Sequence, residues 1–410
     1  MRVAFVTESF LPQVNGVTNS VLRSCEQLQA REHELLVIAP GDGPRQYGAA
    51  RVLRTPSVAL PGYRDFPLGR PWSGLENALR AFRPDVVHLA SPAILGAQAA
   101  FAARRLGLPT VAVFQTDLAG FADCYGVPVL RGLVWRWLRR VHGLAHRNLA
   151  PSRWAVNQLR RNGIERVVHW PRGVDTERFH PRHRNHEWRK RMAPNGSTLV
   201  GYVGRLAQEK EIELLVGLDR HPGVRLVIAG DGPHRPTLER LLPRAVFTGF
   251  LSGQELSTTF ASLDVFVHPG SHETFCQAAQ EALASGVPVV GPASAGLLDL
   301  VTPGRTGQLF RPGSTDSLRQ AVGTLLDPST RAGMAAAARP SVAERTWEAI
   351  GTQLIGHYQE AIEAVRASRR TLHAVPDIPD APAGVPRAVA DSGVVPFSPR
   401  ATIGAGRASA

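Results

Sequence analysis

The sequence predicts an α/β chain of two parallel-sheet units that face each other across a central cleft, and three observations predict it. Short apolar runs at residues 3–7, 35–39, 86–89 and 110–114 alternate with longer helical patterns up to about residue 170. Strands that alternate with helices imply a parallel sheet covered on both faces. The pattern then restarts at 199–204 and continues through 225–229, 246–248, 265–268 and 287–290. Between the two runs lies a turn-rich stretch, 171–181, strongly charged on to Arg191, which reads as an interdomain connection. At 410 residues the chain is long enough for two units that each bury a core. In such sheets ligands bind in the crevice at the carboxyl ends of the strands.

In chain order, the first strand runs into residues 12–17, Pro-Gln-Val-Asn-Gly-Val, with a helical pattern over 18–28 behind it. Gly16 lets backbone approach a phosphate or a sugar closely where a side chain would block it, although Asn-Gly alone is only a turn signal. His88 ends a strand and is a candidate for the cleft wall, with a structural histidine as the competing reading. The run 113–117 places Gln115 and Asp117 at the end of another strand, facing the cleft. Gln115 can hydrogen-bond a hydroxyl but carries no proton, so Asp117 is the nearest ionisable candidate there. Over 129–142, Leu130, Leu133, Val134, Trp137, Leu138 and Val141 fall on one helical stripe, with Arg136, Arg139 and Arg140 largely off it. That is the profile of an interfacial helix drawn to anionic lipid, and equally of a core-packed helix with a basic outer face. An exposed Trp135 or Trp137 favours the lipid reading. A second basic stretch, 45–70, with Tyr63 and Phe66 in loop-like sequence, is a candidate for the same surface.

In the second unit, Arg205 and Lys210 follow the first strand in a strand-to-helix loop, placed to neutralise a diphosphate. Asp231, in Gly-Asp-Gly-Pro, reads as a turn and not as a metal ligand. The string 272–290 combines two carboxylates, a helix and a strand. Thr274 with Gln277 has capping-box spacing, the alanine-rich run after it favours helix, and Gly286 sits where a helix stops. Glu273 then lies just outside a helix N-terminus whose N–H groups and dipole favour an anion, while Glu281, about two turns on, can accept from hydroxyls. No Gly-x-Gly-x-x-Gly follows an early strand, which removes most of the case for a dinucleotide dehydrogenase.

The pattern Glu273, seven residues, Glu281, then Ala-Leu-Ala-x-Gly-x-Pro-Val, together with Gly204-Arg205 five residues before Lys210, resembles the retaining family 4 glycosyltransferases of the GT-B fold, with two Rossmann-like domains. The resemblance covers nearly all of residues 1–365. It implies that Glu273 holds the transferred sugar, Glu281 the ribose, and Arg205 and Lys210 the leaving diphosphate. Gly16, Phe275 and Cys276 complete the donor site, with Gln115, Asp117 and His88 on the acceptor side. It also implies no protein nucleophile, because the leaving phosphate accepts the acceptor's proton on the same face of the sugar. Asn15 stands where the commoner form has a first glycine, Gln115 where many relatives have a histidine, and Cys276 where Gly is usual. Ala295-Gly296-Leu297-Leu298-Asp299 replaces the commoner Gly-Gly-x-x-Glu. These departures most resemble actinobacterial GDP-mannose-dependent alpha-mannosyltransferases acting on glycolipids, and sulfoquinovosyl lipid synthases. The expected organisation is an acceptor-side domain at 1–175, a nucleotide-sugar-binding domain at 176–345, and a helix at 346–370 that returns to the first domain. Residues 371–410, rich in Pro, Ala, Gly and Ser, are expected to be a disordered tail.

The net charge of +13, mostly arginine, suits anionic partners but is equally what a GC-rich genome produces. Cys25, Cys124 and Cys276 lack the spacing of a metal site or a disulfide framework. With no signal-peptide pattern at the start and no apolar run long enough to span a bilayer, the expectation is a cytoplasmic protein, peripheral on the inner membrane face if it touches membrane. The expected donor is a nucleotide sugar, GDP-mannose by resemblance, and the expected acceptor a lipid or glycolipid, with no metal, no cofactor and no nucleic acid. The rival acceptor is soluble, such as inositol phosphate or a polysaccharide. The rival of another class is a non-catalytic basic protein binding nucleic acid or membrane, which leaves the ordered string around Glu273 unexplained.

Overall fold

The computed structural model describes residues 1–60, 63–120 and 131–373, and of 59, 60, 63–68, 372 and 373 the backbone alone. The first lobe holds β1 (Arg2–Val6), β2 (Glu34–Pro40), β3 (Gln46–Tyr47), β4 (Ala50–Thr55), β5 (Ser57–Leu60), β6 (Tyr63–Gly69), β7 (Val86–Leu89), β8 (Thr110–Val113), β9 (Arg147–Ala150) and β10 (Val167–His169). Eight of these form one sheet in the order β10-β9-β8-β7-β1-β2-β4-β3, parallel except for the β3–β4 pair, while β5 and β6 make a separate antiparallel pair. The central strand shows why the apolar runs are continuous. Val3 and Phe5 enter one core and Ala4 and Val6 the other, so both faces of β1 are covered.

The second lobe repeats the plan with β11 (Thr198–Val203), β12 (Val224–Ala229), β13 (Val246–Gly249), β14 (Val265–Val267), β15 (Val289–Pro292) and β16 (Gly307–Phe310). Their order is β13-β12-β11-β14-β15-β16, all parallel. Leu199 and Val200 again point into different cores. Asp264, ahead of β14, is ion-paired at 2.9 Å with both Arg184 and Arg189 and accepts from the Leu199 N–H, which ties the charged connecting segment to this sheet.

The C-terminal helix Trp347–His373 places Ile350, Leu354, Tyr358 and Ala361 in the first-lobe core beside Val3 and Phe5. It extends past the expected end at residue 370, so 371–373 are helical rather than part of a disordered tail; residues 374–410 lie outside the described residues.

Three further expectations change. Residues 45–70 are not loop-like, since four strands run through them; the side chains of Tyr63 and Phe66 lie outside the described residues. The last expected strand of the second unit begins at Val289, because Val287 still closes the preceding helix by donating to Ala282 O, with Gly286 at φ +73° between them. The helix Arg131–Gly143 buries Trp135, Leu138, Val141 and His142, whereas Leu133 and Trp137 are 54% and 42% exposed. The stripe turns because Trp135 stacks on Phe114 at the end of β8, which fixes the inward face one position away from the expected one; Leu130 lies outside the described residues.

Candidate functional site

The loop that follows β11 meets the loop that follows β14 at the carboxyl ends of neighbouring strands. The first is held in place by glycine: Gly230 and Gly232, at φ +137° and +157°, sit so close to it that an added Cβ would come within 1.9 Å of Gly204 O and 2.3 Å of Leu206 O. Only glycine fits there, which supports the turn reading of Asp231, whose carboxylate caps the Gly232 N–H at 2.7 Å. From this loop Lys210 reaches across to Glu273, and its ammonium hydrogen-bonds Oε1. Glu273 sits in the loop after β14, whose backbone is buttressed by Gly296 donating to Glu273 O at 2.8 Å. A Cβ on Gly296 would lie 2.8 Å from Thr274 O, so the glycine of the variant Ala-Gly-Leu-Leu-Asp segment serves a close approach.

Burial alone would raise the Glu273 carboxyl, but Lys210 and His268 outweigh it and hold the group far below the usual carboxylate range. Burial opposes the Lys210 charge, and Glu273 reverses that, leaving the ammonium above its ordinary value. Arg205 pairs with Glu209, four residues on, and its own carbonyl accepts from Tyr202 Oη at 3.0 Å. Both cations expected to face a diphosphate are therefore held by carboxylates.

The helix Gln277–Ala284 begins three residues after Thr274, at an N-cap, Cys276, without a side-chain cap hydrogen bond. The expected capping box does not form. Thr274 Oγ1 instead donates to Gln115 O at 2.7 Å, and Gln277 Nε2 donates to Gly173 O at 3.1 Å, so both side chains join the two lobes. The uncapped first turn leaves its N–H groups for an anion. Phe275 and Cys276 are buried in the second-lobe core, so their contribution to a ligand is through backbone. Glu281 is half-buried, 3.4 Å from Gln277 Nε2, and burial pushes its carboxyl up to about 7 despite Arg178 and Arg23 nearby.

On the first lobe, Asn15 accepts from Thr18 N at 2.9 Å and caps the helix Gly16–Gln29, leaving Gly16 against open space. Gln115 does not point freely into the cleft: it donates to Ala90 O at 2.8 Å and accepts from the Arg172 guanidinium. Asp117 accepts from Gly120 N at 2.9 Å and lines a cavity of about 460 Å³ between the lobes, together with Trp135, Trp154, Ser271 and His272. His88 does not line the cleft. It is buried between Phe5 and Trp170, bonded through Nδ1 to Tyr358 Oη at 2.8 Å, and burial with the nearby Arg172 charge drives its ring down to about 3. The cause is pairing register: His88 stands opposite Phe5 across β1 and β7 and so points into the core with it.

Sequence reasoning missed two residues of this neighbourhood. Arg172, buried to 6% exposure, bonds Ser20 and Gln115 and is lowered by burial to about 9. His268, one residue past β14, lies 3.4 Å from Glu273 Oε1. Its sequence signal was the spacing: a histidine at a strand end, five residues before the first glutamate.

With this geometry in view, comparison with known proteins is specific. Residues 14–178 match glycosyltransferase family 4, and 197–328 match glycosyl transferases group 1. The chain is 48% identical to a GDP-mannose-dependent alpha-mannosyltransferase of Corynebacterium glutamicum, over 88% of this chain and 89% of that one. Against a Mycobacterium tuberculosis protein of the same description, identity is 51% over 90% and 98%. The sulfoquinovosyl transferase SQD2 of Arabidopsis thaliana is 34% identical over 86% and 72%. Among solved structures, Anabaena HepE in complex with UDP and glucose superposes with a TM-score of 0.70 at 18% identity, over 87% of this chain and 99% of that one. Sucrose-phosphate synthase from Thermosynechococcus elongatus gives 0.70 at 20%, over 88% and 99%. These two establish the shared GT-B fold, and the sequence relatives establish the rest: the chain is a glycosyltransferase and belongs to family 4.

Proposed function

We propose that this enzyme transfers mannose from GDP-mannose, with retention, to a glycolipid acceptor at a membrane surface. The observation that carries the donor half is the Lys210–Glu273 pair at the mouth of the uncapped helix Gln277–Ala284, beside Arg205. A departing GDP gathers negative charge as the glycosidic bond breaks, and fixed cations with a helix N-terminus stabilise that charge most in the transition state. Arg205, Lys210 and the helix handle the diphosphate without a divalent ion. Glu273 orients the sugar, Glu281 takes the ribose hydroxyls, and the acceptor enters through the cavity beside Asp117. GDP-mannose is supported by the relatives' names and their near-50% identity.

The lipid half is supported by the helix Arg131–Gly143. Leu133, Arg136, Trp137 and Arg140 share its exposed side, an apolar pair within a basic field. No helix among the described residues is long and apolar enough to cross a membrane, so contact of this helix with lipid is interfacial. Relatives described as phosphatidylinositol dimannoside mannosyltransferase and monoglucosyldiacylglycerol synthase, 31% and 24% identical, support a membrane-borne acceptor. The test is mannosyl transfer to glycolipid in anionic liposomes, against inositol phosphate in solution. Transfer to the liposomes, reduced along with liposome binding in Leu133→Ser/Trp137→Ser, is expected. Transfer to the soluble acceptor alone would contradict the lipid reading.

A further inference from the structure

Two carboxylates and two cations pair off in the donor site: Arg205 with Glu209 and Lys210 with Glu273. A further basic group, His268, stands beside them. The backbone N–H of His268 donates to Val290 O at 2.9 Å, fixing the residue at the end of β14, and its ring stacks on Tyr202 with centroids 6.0 Å apart and planes 22° from parallel. The groups around it are Tyr202 from β11, Lys210 and Glu209 of the following turn, whose backbones a Cβ added at Gly270 would meet together with His268 Nε2, and Glu273 and Cys276 of the next loop.

His268 Nε2 and Lys210 Nζ converge on the same oxygen, Oε1 of Glu273. No described residue donates to Oε2. His268 Nε2 is buried and lies 3.4 Å from that oxygen. We propose that His268 is a positioning residue of the donor site: with Lys210 it holds Oε1 of Glu273 from the protein side, so that Oε2 is the oxygen presented to the transferred sugar. The ionisation of His268 agrees. Burial drives the rings of His33, His88, His142, His146, His169, His180 and His357 down. In His268 burial pulls the same way but Cys276 and Glu273 reverse it, and the ring is raised to about 9.

The inference rests on Glu273 orienting the sugar, and its test separates the two. In histidine-labelled full chain followed by NMR, the resonance lost in His268→Gln is expected to titrate near 9 and to move down in Glu273→Gln. This readout needs no turnover. In mannosyl transfer, wild type is expected to lose rate above about pH 9, and Cys276→Ala to move that limb to lower pH while keeping it, because Cys276 is the first of the groups that raise the ring. His268→Gln keeps an N–H without a titrating ring; its kcat should fall roughly a hundredfold, with donor KM changed less than about threefold and no alkaline limb. His268→Asn is the second variant, and thermal unfolding checks that both fold. A His268 ring that titrates at or below 6.5 overturns the proposal, as does a His268→Gln protein with wild-type kcat and the limb intact. If wild type transfers no mannose, the functional reading fails, and the titration still decides whether His268 holds Glu273.

Discussion

Arg205 and Lys210 differ in how firmly they are held, and their substitutions should differ in kind. Lys210 is tied to Glu273, so on the proposed reading Lys210→Ala removes a diphosphate contact and frees the carboxylate assigned to the sugar. Arg205 is 42% exposed at its side chain and pairs with Glu209, so Arg205→Ala removes one cation and leaves the sugar contact in place. Each should lose roughly 2–4 kcal/mol of transition-state stabilisation. Only Lys210→Ala should also weaken discrimination among donor sugars, which competition between GDP-mannose and GDP-glucose measures. Equal turnover in wild type and either variant would contradict the assignment. Glu281 gives a second test. Its carboxyl is raised to about 7, so it is neutral below that pH and charged above it. Ribose hydroxyls favour the charged form, so donor binding releases a proton and affinity should rise up to about tenfold between about pH 6 and 8. Glu281→Gln should flatten the profile in calorimetry, and a flat wild-type profile would refute the role. The spacing of the two glutamates marked them in the sequence, and the structure sets both at the helix Gln277–Ala284. The placement of His88 was not legible there, because which way a strand-end side chain points depends on pairing with β1, and nothing in residues 85–89 encodes that register.

At the scale of elements, the long helical patterns and short apolar strands such as β7, β8, β13 and β14 were readable, and β9 and β10 were not. β9 and β10 have four and three residues, and β9 carries the buried Asn148, which bonds His142 and Glu165 O rather than showing an apolar signature. The start of helix Gln277–Ala284 was missed for a tertiary reason: Thr274 and Gln277 have the right spacing to cap it, but each finds a partner on the first lobe. The C-terminal helix was expected over 346–370, and its apolar residues Ile350, Leu354 and Tyr358, four apart, are what pack. Leu354 is fully buried among first-lobe residues, so Leu354→Ala should destabilise the chain by roughly 2–5 kcal/mol. Denaturant unfolding measures this, and a change below about 1 kcal/mol would show that the helix contributes little to the core.

For the whole molecule, the repeated α/β plan was visible in the sequence, whereas the contacts that join the lobes were not. Those contacts run through the functional site. Thr274 bonds Gln115 and Gln277 bonds Gly173, while Arg172 bonds Ser20 and Gln115 and Gln280 bonds its carbonyl. The junction of the lobes and the donor loop are thus one network, built from residues far apart in sequence that no local pattern relates. On the proposed reading, this network surrounds a GDP-mannose site in which Glu273 holds the sugar. The measurement that tests it most directly is the initial rate of transfer by purified full-length protein from GDP-mannose, UDP-glucose, UDP-N-acetylglucosamine and UDP-sulfoquinovose, with glycolipid-bearing anionic liposomes, for wild type and Glu273→Gln. Turnover of GDP-mannose alone, lost in a folded Glu273→Gln protein, is the predicted result. Turnover of a UDP-sugar with GDP-mannose untouched, or a Glu273→Gln enzyme at the wild-type rate, would contradict it.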